Sequence, residues 1–432
     1  MRDRDRSQTQ SRPLVGRCAI VGMGVSLRIA YFVHDLSDPA VGKRVRMLKA
    51  AGADVVVIGF RRRDQAISDV HGARAIDLGR THDSRFAQRA FKVLQQGLGL
   101  SRWRHDVEGA DVLLARNLEM LVLATAAKRS CARKAGLVYE CLDLHRLLLS
   151  NGIAGKLLRL LERRLMRKIR LLIISSPAFL SEYFAPKQGI NRENQIPVLL
   201  VENKVLDLDA NPSATRTPLS AAPPSGPPWR IGWFGMIRCR KSLDILCALA
   251  AQRPGLVEIV IRGRPARVEF ENFDEQVSRT SGVSFGGSYE PSELAHLYQS
   301  VHFNWAVDFF EEGANSTLLL PNRIYEGGRH AAVPIALAHT ETGRWLKHRG
   351  LGVLLNSAAD ELRQFLELLT TTDYARLKHA AGAAPVSGFI ADRQDCDSLL
   401  AALANTRSER IEAGGPAAAL AKGSVAGWVN RT

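Results

Sequence analysis

The sequence predicts an α/β protein of two separate domains, each a parallel sheet covered by helices. Three observations carry this reading. From Arg28 onward, short apolar runs ending in turn residues alternate with amphipathic helical stretches, the pattern of a parallel sheet with crossover helices. The alternation breaks at NPSATRTPLSAAPPSGPP, which is too rich in proline to continue any regular element, and restarts after it. The chain has 432 residues, 46% of them hydrophobic and 24% charged, which is length and composition for two globular cores.

Taken in order, residues 1–27 read as a disordered extension. Its apolar stretch CAIVGMGVSL is only ten residues long between Arg17 and Arg28 and runs straight into a folded-domain pattern, unlike a cleaved leader. Gly22 and Gly24 there lack the third glycine and following helix of a dinucleotide fingerprint. Residues 28–206 form the first domain. RIAYFVH is its first strand, DPAVGKRVRMLKAAG the helix after it and DVVVIGF the second strand; DVLLARN, LVYECLDLH and LLIISS are further strands, the last fed by the helix GKLLRLLERRLMRKIR. Right-handed crossovers gather the loops after such strands on one edge of the sheet, which places His34, Asp35, Asp143 and His145 along a common rim. Residues 207–228 are the linker. Residues 229–406 repeat the alternation as WRIGWFG, KSLDILCALAAQ, LVEIVIRG, GVSFGG, PSELAHLYQS and VHFNWAV, and residues 407–432 lose periodicity and read as a loose tail.

Composition removes several function classes. The six cysteines form no CxxC pair and indicate neither a zinc site nor a disulfide framework, so a reducing cytoplasm is expected. No apolar stretch reaches the ~18 residues of a membrane span. The net charge of +16 is uneven: residues 28–206 hold 31 Lys and Arg against 17 Asp and Glu, whereas residues 207–432 hold 23 against 24. A field confined to one lobe favours an anionic partner, such as nucleic acid, an acidic membrane surface or a phosphorylated lipid carrier. The basic residues lie along helices without interleaved aromatics, and no zinc, KH or RNP motif appears, which argues against nucleic acid.

Two stretches of the second domain point to chemistry. In FGMIRCRKS a strand ending at Gly235 leads through Arg238, Arg240 and Lys241 to a helix start, where backbone N–H groups and cations would hold a diphosphate. In EEGANSTLLLPNRIYEGG, Pro321 in a first helical turn would set Asn322 and Glu326 on one helix face beside Arg323, with the Glu326 carboxylate free to accept hydrogen bonds from vicinal hydroxyls; Glu312 and Asn315 precede it in a polar loop.

FGMIRCRKS, EEGANS, PNRIYEGG and AVPIALA resemble, in the same order, the donor-domain pieces of family-four glycosyltransferases of the GT-B class. YFVHDLSDPAVGKR, YECLDLHR and LLIISSPAFLSEYF resemble the acceptor-domain segments of the subgroup that builds bacterial exopolysaccharides, including succinoglycan, and the resemblance spans residues 28 to about 400. It implies the GT-B fold, with two Rossmann-like domains facing each other across a cleft. It also implies retaining, metal-independent transfer of a sugar from a nucleotide sugar, UDP-glucose by this resemblance, to a lipid-linked or polymeric glycan.

Residue by residue, the resemblance makes Lys241 the donor-phosphate lysine. Met236 stands where the family has an arginine, leaving Arg238 or Arg240 to substitute. Glu326 would hold the ribose as the second glutamate of a Glu-x7-Glu motif; the first falls on Leu318, so Glu312 is expected to replace it from a longer loop. His145, with Asp143, is placed near the transferred sugar, and His34 and Asp35 line the acceptor side. A nucleotide-sugar epimerase of the same fold and a basic nucleic-acid-binding protein are the competing classes. The helix Lys156 to Arg170 is expected to pack Leu157, Leu161, Leu165 and Ile169 inward and to turn its arginines toward acidic lipid at the inner face of the plasma membrane.

Overall fold

The computed structural model describes residues 26–81, 103–190, 196–209 and 223–407. The expected extension up to residue 25, the centre of the linker and the tail from residue 408 lie outside the described residues.

Two parallel sheets form, one on each side of the linker. The first contains β1 (Arg28–Val33), β2 (Asp54–Arg61), β3 (Asp69–Val70), β4 (Ala73–Arg80), β5 (Val112–Arg116), β6 (Gly136–Cys141), β7 (Leu171–Ile174) and β8 (Val198–Leu200). Their order is β3-β4-β2-β1-β5-β6-β7-β8, parallel except for the β3–β4 hairpin. Order reverses between β1 and β5, the type of switch point beside which open α/β sheets bind ligands. Ile29, Tyr31 and Val33 face one layer and Ala30 and Phe32 the other, because successive side chains alternate and both faces are covered.

Four helices of this lobe matter below: α1 (Pro39–Ala50), α2 (Asn117–Ser130), α3 (Arg146–Leu149) and α4 (Ile153–Met166). Helix α1 starts where Asp38 accepts from the Ala40 N–H at 2.8 Å, with Pro39 in the first turn where no donor is needed. Beneath the ligand edge, Glu140 on β6 is fully buried. It accepts from Tyr31 Oη at 2.7 Å, Arg44 Nε at 2.7 Å and Arg116 Nε at 2.9 Å, tying β1, α1, β5 and β6 together. The two guanidiniums overcome its burial and pull its pKa down to about 2.

The short strand β9 (Val205–Leu206) begins the crossing to the second lobe. There the sheet comprises β10 (Trp229–Ile237), β11 (Val257–Pro265), β12 (Val283–Phe285), β13 (Phe303–Trp305), β14 (Val333–Leu337) and β15 (Val353–Leu355), in the order β12-β11-β10-β13-β14-β15. Three helices flank the ligand edge: α5 (Arg240–Gln252), α6 (Asn315–Leu318) and α7 (Asn322–Arg329).

Residues 390–407 do not stay with the second lobe, contrary to the 229–406 boundary expected from sequence. Strand β16 (Ile390–Ala391) pairs with β9, and the helix after it, α8 (Arg393–Ala404), packs on α1. Cys396, Leu399 and Leu403 join the core of the first sheet, and Arg407 pairs with Asp111 at 2.7 Å. The lobes are therefore joined by two crossings among the described residues. Among the described residues no helix is long and apolar enough to cross a membrane.

Candidate active site

The ligand edges of the two sheets face one another. Asn315 at the start of α6 spans the gap: its Oδ1 accepts from the Leu144 N–H at 3.1 Å and its Nδ2 donates to Asp143 Oδ1 at 3.3 Å. Leu318 and Leu319 pack against the first core, and the Ser176 hydroxyl donates to the Leu318 carbonyl. Two predicted site residues, Asp143 and Asn315, are thus brought into direct contact across the cleft.

On the second lobe, β10 runs two residues beyond the expected end at Gly235, to Ile237. Gly235 has φ 103° and pairs with Gly263, where an added Cβ would sit 1.8 Å from the Gly235 carbonyl oxygen. Glycine at both positions lets the strands approach closely and leaves the rim of the loop open. Helix α5 then begins, its Ser242 N–H donating to Cys239 Sγ at 3.3 Å. Lys241 meets both oxygens of Glu312 at 2.8 Å and lies 4.4 Å from the centre of the Phe309 ring. Arg238 stands 4.5 Å over Phe310 and 3.6 Å from Asp308. Two cations are therefore collected beside a helix N-terminus by acidic partners that an anionic ligand would replace. Arg240 leaves the cluster: it pairs at 2.8 Å with Glu271 in the connection after β11, not with the Glu312 loop.

Helix α7 carries the remaining residues expected on the donor side. Pro321 is extended and precedes the helix, where a first-turn position was expected. Glu326, partly buried, accepts from Tyr298 Oη at 2.9 Å. Burial raises its pKa, against the opposing pull of Tyr298, Arg323 and Lys43. Arg323 is fixed by donation to the Trp305 carbonyl at 3.2 Å and by its own carbonyl, which accepts from Asn304 Nδ2 at 2.7 Å. Asn322 accepts from the Asn203 amide at the crossing, so its side chain is engaged in joining the lobes.

On the first lobe, His145 Nδ1 accepts from the Leu147 N–H at 3.3 Å and caps α3, which fixes the ring at the end of β6. His34 Nδ1 lies 3.5 Å from Asn117 Nδ2 and its Nε2 3.8 Å from Asp38, and burial lowers its pKa. Asp35 departs from the expected acceptor role. It is 4% exposed, accepts from the Ser37 N–H at 3.0 Å and Ser37 Oγ at 2.7 Å, and pairs with Arg62 at 3.3 Å, so it shapes the turn into α1.

Three residues were missed by the sequence reading. Lys43 on α1 donates to the carbonyls of Asn203 at 3.0 Å and Lys204 at 2.9 Å and lies within the field of Glu326; burial, with Arg44 and Arg116, pushes its pKa down to about 7. Glu311, the neighbour of Glu312, sits among Arg238, Asp143, Arg146 and Asp308, and burial raises its pKa. Asn117 holds φ 70° at the end of β5, a left-handed conformation that asparagine tolerates better than most residues. Only the strand-end position of Asn117 carried a signal in the sequence.

No family model matches the chain. It is 45% identical over 380 residues, 88% of its length and 93% of the relative's, to the succinoglycan biosynthesis protein ExoL of Rhizobium meliloti (strain 1021). Sucrose-phosphate synthase from Thermosynechococcus elongatus superposes with a TM-score of 0.66 at 13% identity, covering 88% of this chain and 98% of that one. Anabaena HepE, solved in complex with UDP-glucose, gives 0.62 at 16% identity, covering 87% and 98%. The fold is thereby GT-B, as the sequence predicted.

Proposed function

The chain belongs to the family of the succinoglycan biosynthesis protein, within the GT-B glycosyltransferases, and from that premise we propose that it transfers glucose from UDP-glucose to a lipid-linked glycan at the cytoplasmic face of the membrane, with retention. The observation that carries the reading is one cleft with a cationic helix start on one side of the second lobe's edge and Glu326 on the other.

In this account the donor diphosphate takes the place of Glu312 as the partner of Lys241, with Arg238 and the first N–H groups of α5 completing its cradle. These fixed charges stabilise the departing UDP and do the work that a divalent cation does elsewhere, so no metal is required. Glu326 accepts hydrogen bonds from the ribose hydroxyls while Tyr298 and Arg323 hold its carboxylate in place. The transferred sugar lies between Glu311 on the second lobe and Asp143 and His145 on the first. The acceptor enters past His34. UDP-glucose is supported by the ligand of Anabaena HepE, and an exopolysaccharide product by the part of the Rhizobium relative in succinoglycan biosynthesis.

The test is a panel of UDP-, GDP- and ADP-sugars incubated with the full chain and a lipid extract. Transfer from UDP-glucose alone is expected; equal use of a GDP-sugar overturns the donor assignment.

A further inference from the structure

Helix α4 has two apolar faces, and only one of them is packed. Toward the protein, Glu162 accepts from Tyr139 Oη at 2.8 Å and from Tyr183 and Gln188, while Leu165 and Met166 are buried. Away from it, Ile153 is 80% exposed, Leu157 61%, Leu160 62% and Leu161 39%. At ~100° per residue these four span about a third of the helix circumference, a continuous outward stripe over the first three turns. They make up half of the eight large hydrophobic side chains exposed among the described residues, the rest being scattered singly. Sequence had placed Leu157 and Leu161 inward.

The stripe is bordered by charge of one sign. Lys156, Arg164 and Arg167 are exposed, and among the described residues none of them forms an ion pair. Arg159 and Arg163 are committed to the protein, to the Leu148 and Ser150 carbonyls and the Lys187 carbonyl respectively. The helix is also fixed close to the catalytic rim. Gly155 lets it sit against α3, since a Cβ there would lie 2.5 Å from the Leu147 and Ser150 carbonyls, and α3 is the helix capped by His145.

We propose that the outward stripe of α4 inserts into the headgroup region of an anionic bilayer, with Lys156, Arg164 and Arg167 against the lipid phosphates, so that a lipid-borne acceptor is delivered beside His145. This deepens the proposed membrane location by naming the surface, and it replaces purely electrostatic adsorption with insertion. The occupant is lipid because the apolar stripe is edged by unpaired cations, an arrangement that matches an acidic membrane interface.

The experiment uses the full chain with phosphatidylcholine vesicles containing 30% phosphatidylglycerol, at low salt and at high salt. Leu157→Ser/Leu160→Ser/Leu161→Ser changes exposed positions only and should melt as the wild type does. The wild type should retain part of its vesicle binding at high salt, and the triple variant should lose at least about tenfold in affinity there. A Leu160→Trp variant should show emission blue-shifted beyond that of the wild type on these vesicles, and quenching by bromine placed on the acyl chains. UDP-glucose affinity, read in parallel, should be the same in all variants, which separates failure of this proposal from failure of the donor site. Equal binding by wild type and triple variant, no added blue shift from Leu160→Trp, or a concentration-dependent dimer abolished by the serine changes would each overturn it.

Discussion

Glu326 gives the sharpest test of the donor site, because its two oxygens have separable duties. One accepts from Tyr298 Oη at 2.9 Å, and the carboxylate is assigned to the ribose hydroxyls. Glu326→Gln keeps one acceptor oxygen for Tyr298 and removes the charge. The loss is roughly one charge-assisted hydrogen bond, about 1.5–3 kcal/mol, or on the order of 10- to 150-fold in UDP-glucose affinity. Glu326→Ala removes both acceptors and leaves Tyr298 Oη, on a fully buried ring, without this partner, so it should also destabilise by about 1–3 kcal/mol. The pH dependence has a fixed sign. A carboxyl whose pKa is raised in the folded protein contributes stability below its ordinary value near 4.5 and loses that contribution as pH rises through the folded pKa. The melting temperature of Glu326→Gln relative to wild type should therefore increase as pH rises from 4.5, and the acidic limb of the wild-type donor affinity should lie above 4.5 and vanish in the variant. Calorimetric titration with UDP-glucose, whose diphosphate diester does not titrate in this range, measures the affinity across pH, and scanning calorimetry the stability. Wild-type affinity in Glu326→Gln, or an unshifted acidic limb, refutes the assignment.

Lys241→Ala should lower turnover with UDP-glucose by about 2–4 kcal/mol of barrier, yet cost under about 1 kcal/mol of stability, since its pair with Glu312 is half exposed. Arg240→Ala should leave UDP affinity within about twofold of wild type, because this side chain is paired with Glu271; a large loss would restore it to the donor cluster. Asn315→Ala strands the buried Leu144 N–H at the lobe contact and should cost about 1–3 kcal/mol, read by denaturant titration. Arg116→Met leaves Glu140 buried with one guanidinium fewer and should destabilise by about 3–5 kcal/mol. In the wild type the Glu140 contribution is present above pH 4.5 and lost as pH falls toward 2, so the gap between the two proteins should narrow with acidification.

The strands were legible because their apolar runs are nearly unbroken, as in RIAYFV and VLLAR, both buried on two faces. The placement of Gly235 near a strand end, Lys241 at a helix start and Glu326 on the helix after Pro321 was legible, because local spacing fixes it. Side-chain partners were not legible where they depend on backbone direction: Glu312 meets Lys241, Glu311 lies near Arg238, and Arg240 turns to Glu271. The return of α8 to the first sheet was hidden because an amphipathic pattern shows that a face is buried and not what buries it. The outward turn of Leu157 and Leu161 has a geometric cause. A four-residue repeat drifts about 40° per step around a helix of 3.6 residues per turn, so Leu157, Leu161 and Leu165 wind from solvent into the core.

The central claim is that one interdomain cleft moves glucose from UDP-glucose to a lipid-borne glycan. The direct measurement is transfer of label from UDP-[14C]glucose into the organic-solvent-extractable fraction, with bacterial lipid-linked glycan as acceptor and full-length protein as enzyme. The account predicts label in that fraction for the wild type, almost none for Lys241→Ala, and an α-linkage in the product. Consumption of UDP-glucose without any labelled lipid product, or transfer unaffected by Lys241→Ala, would contradict it.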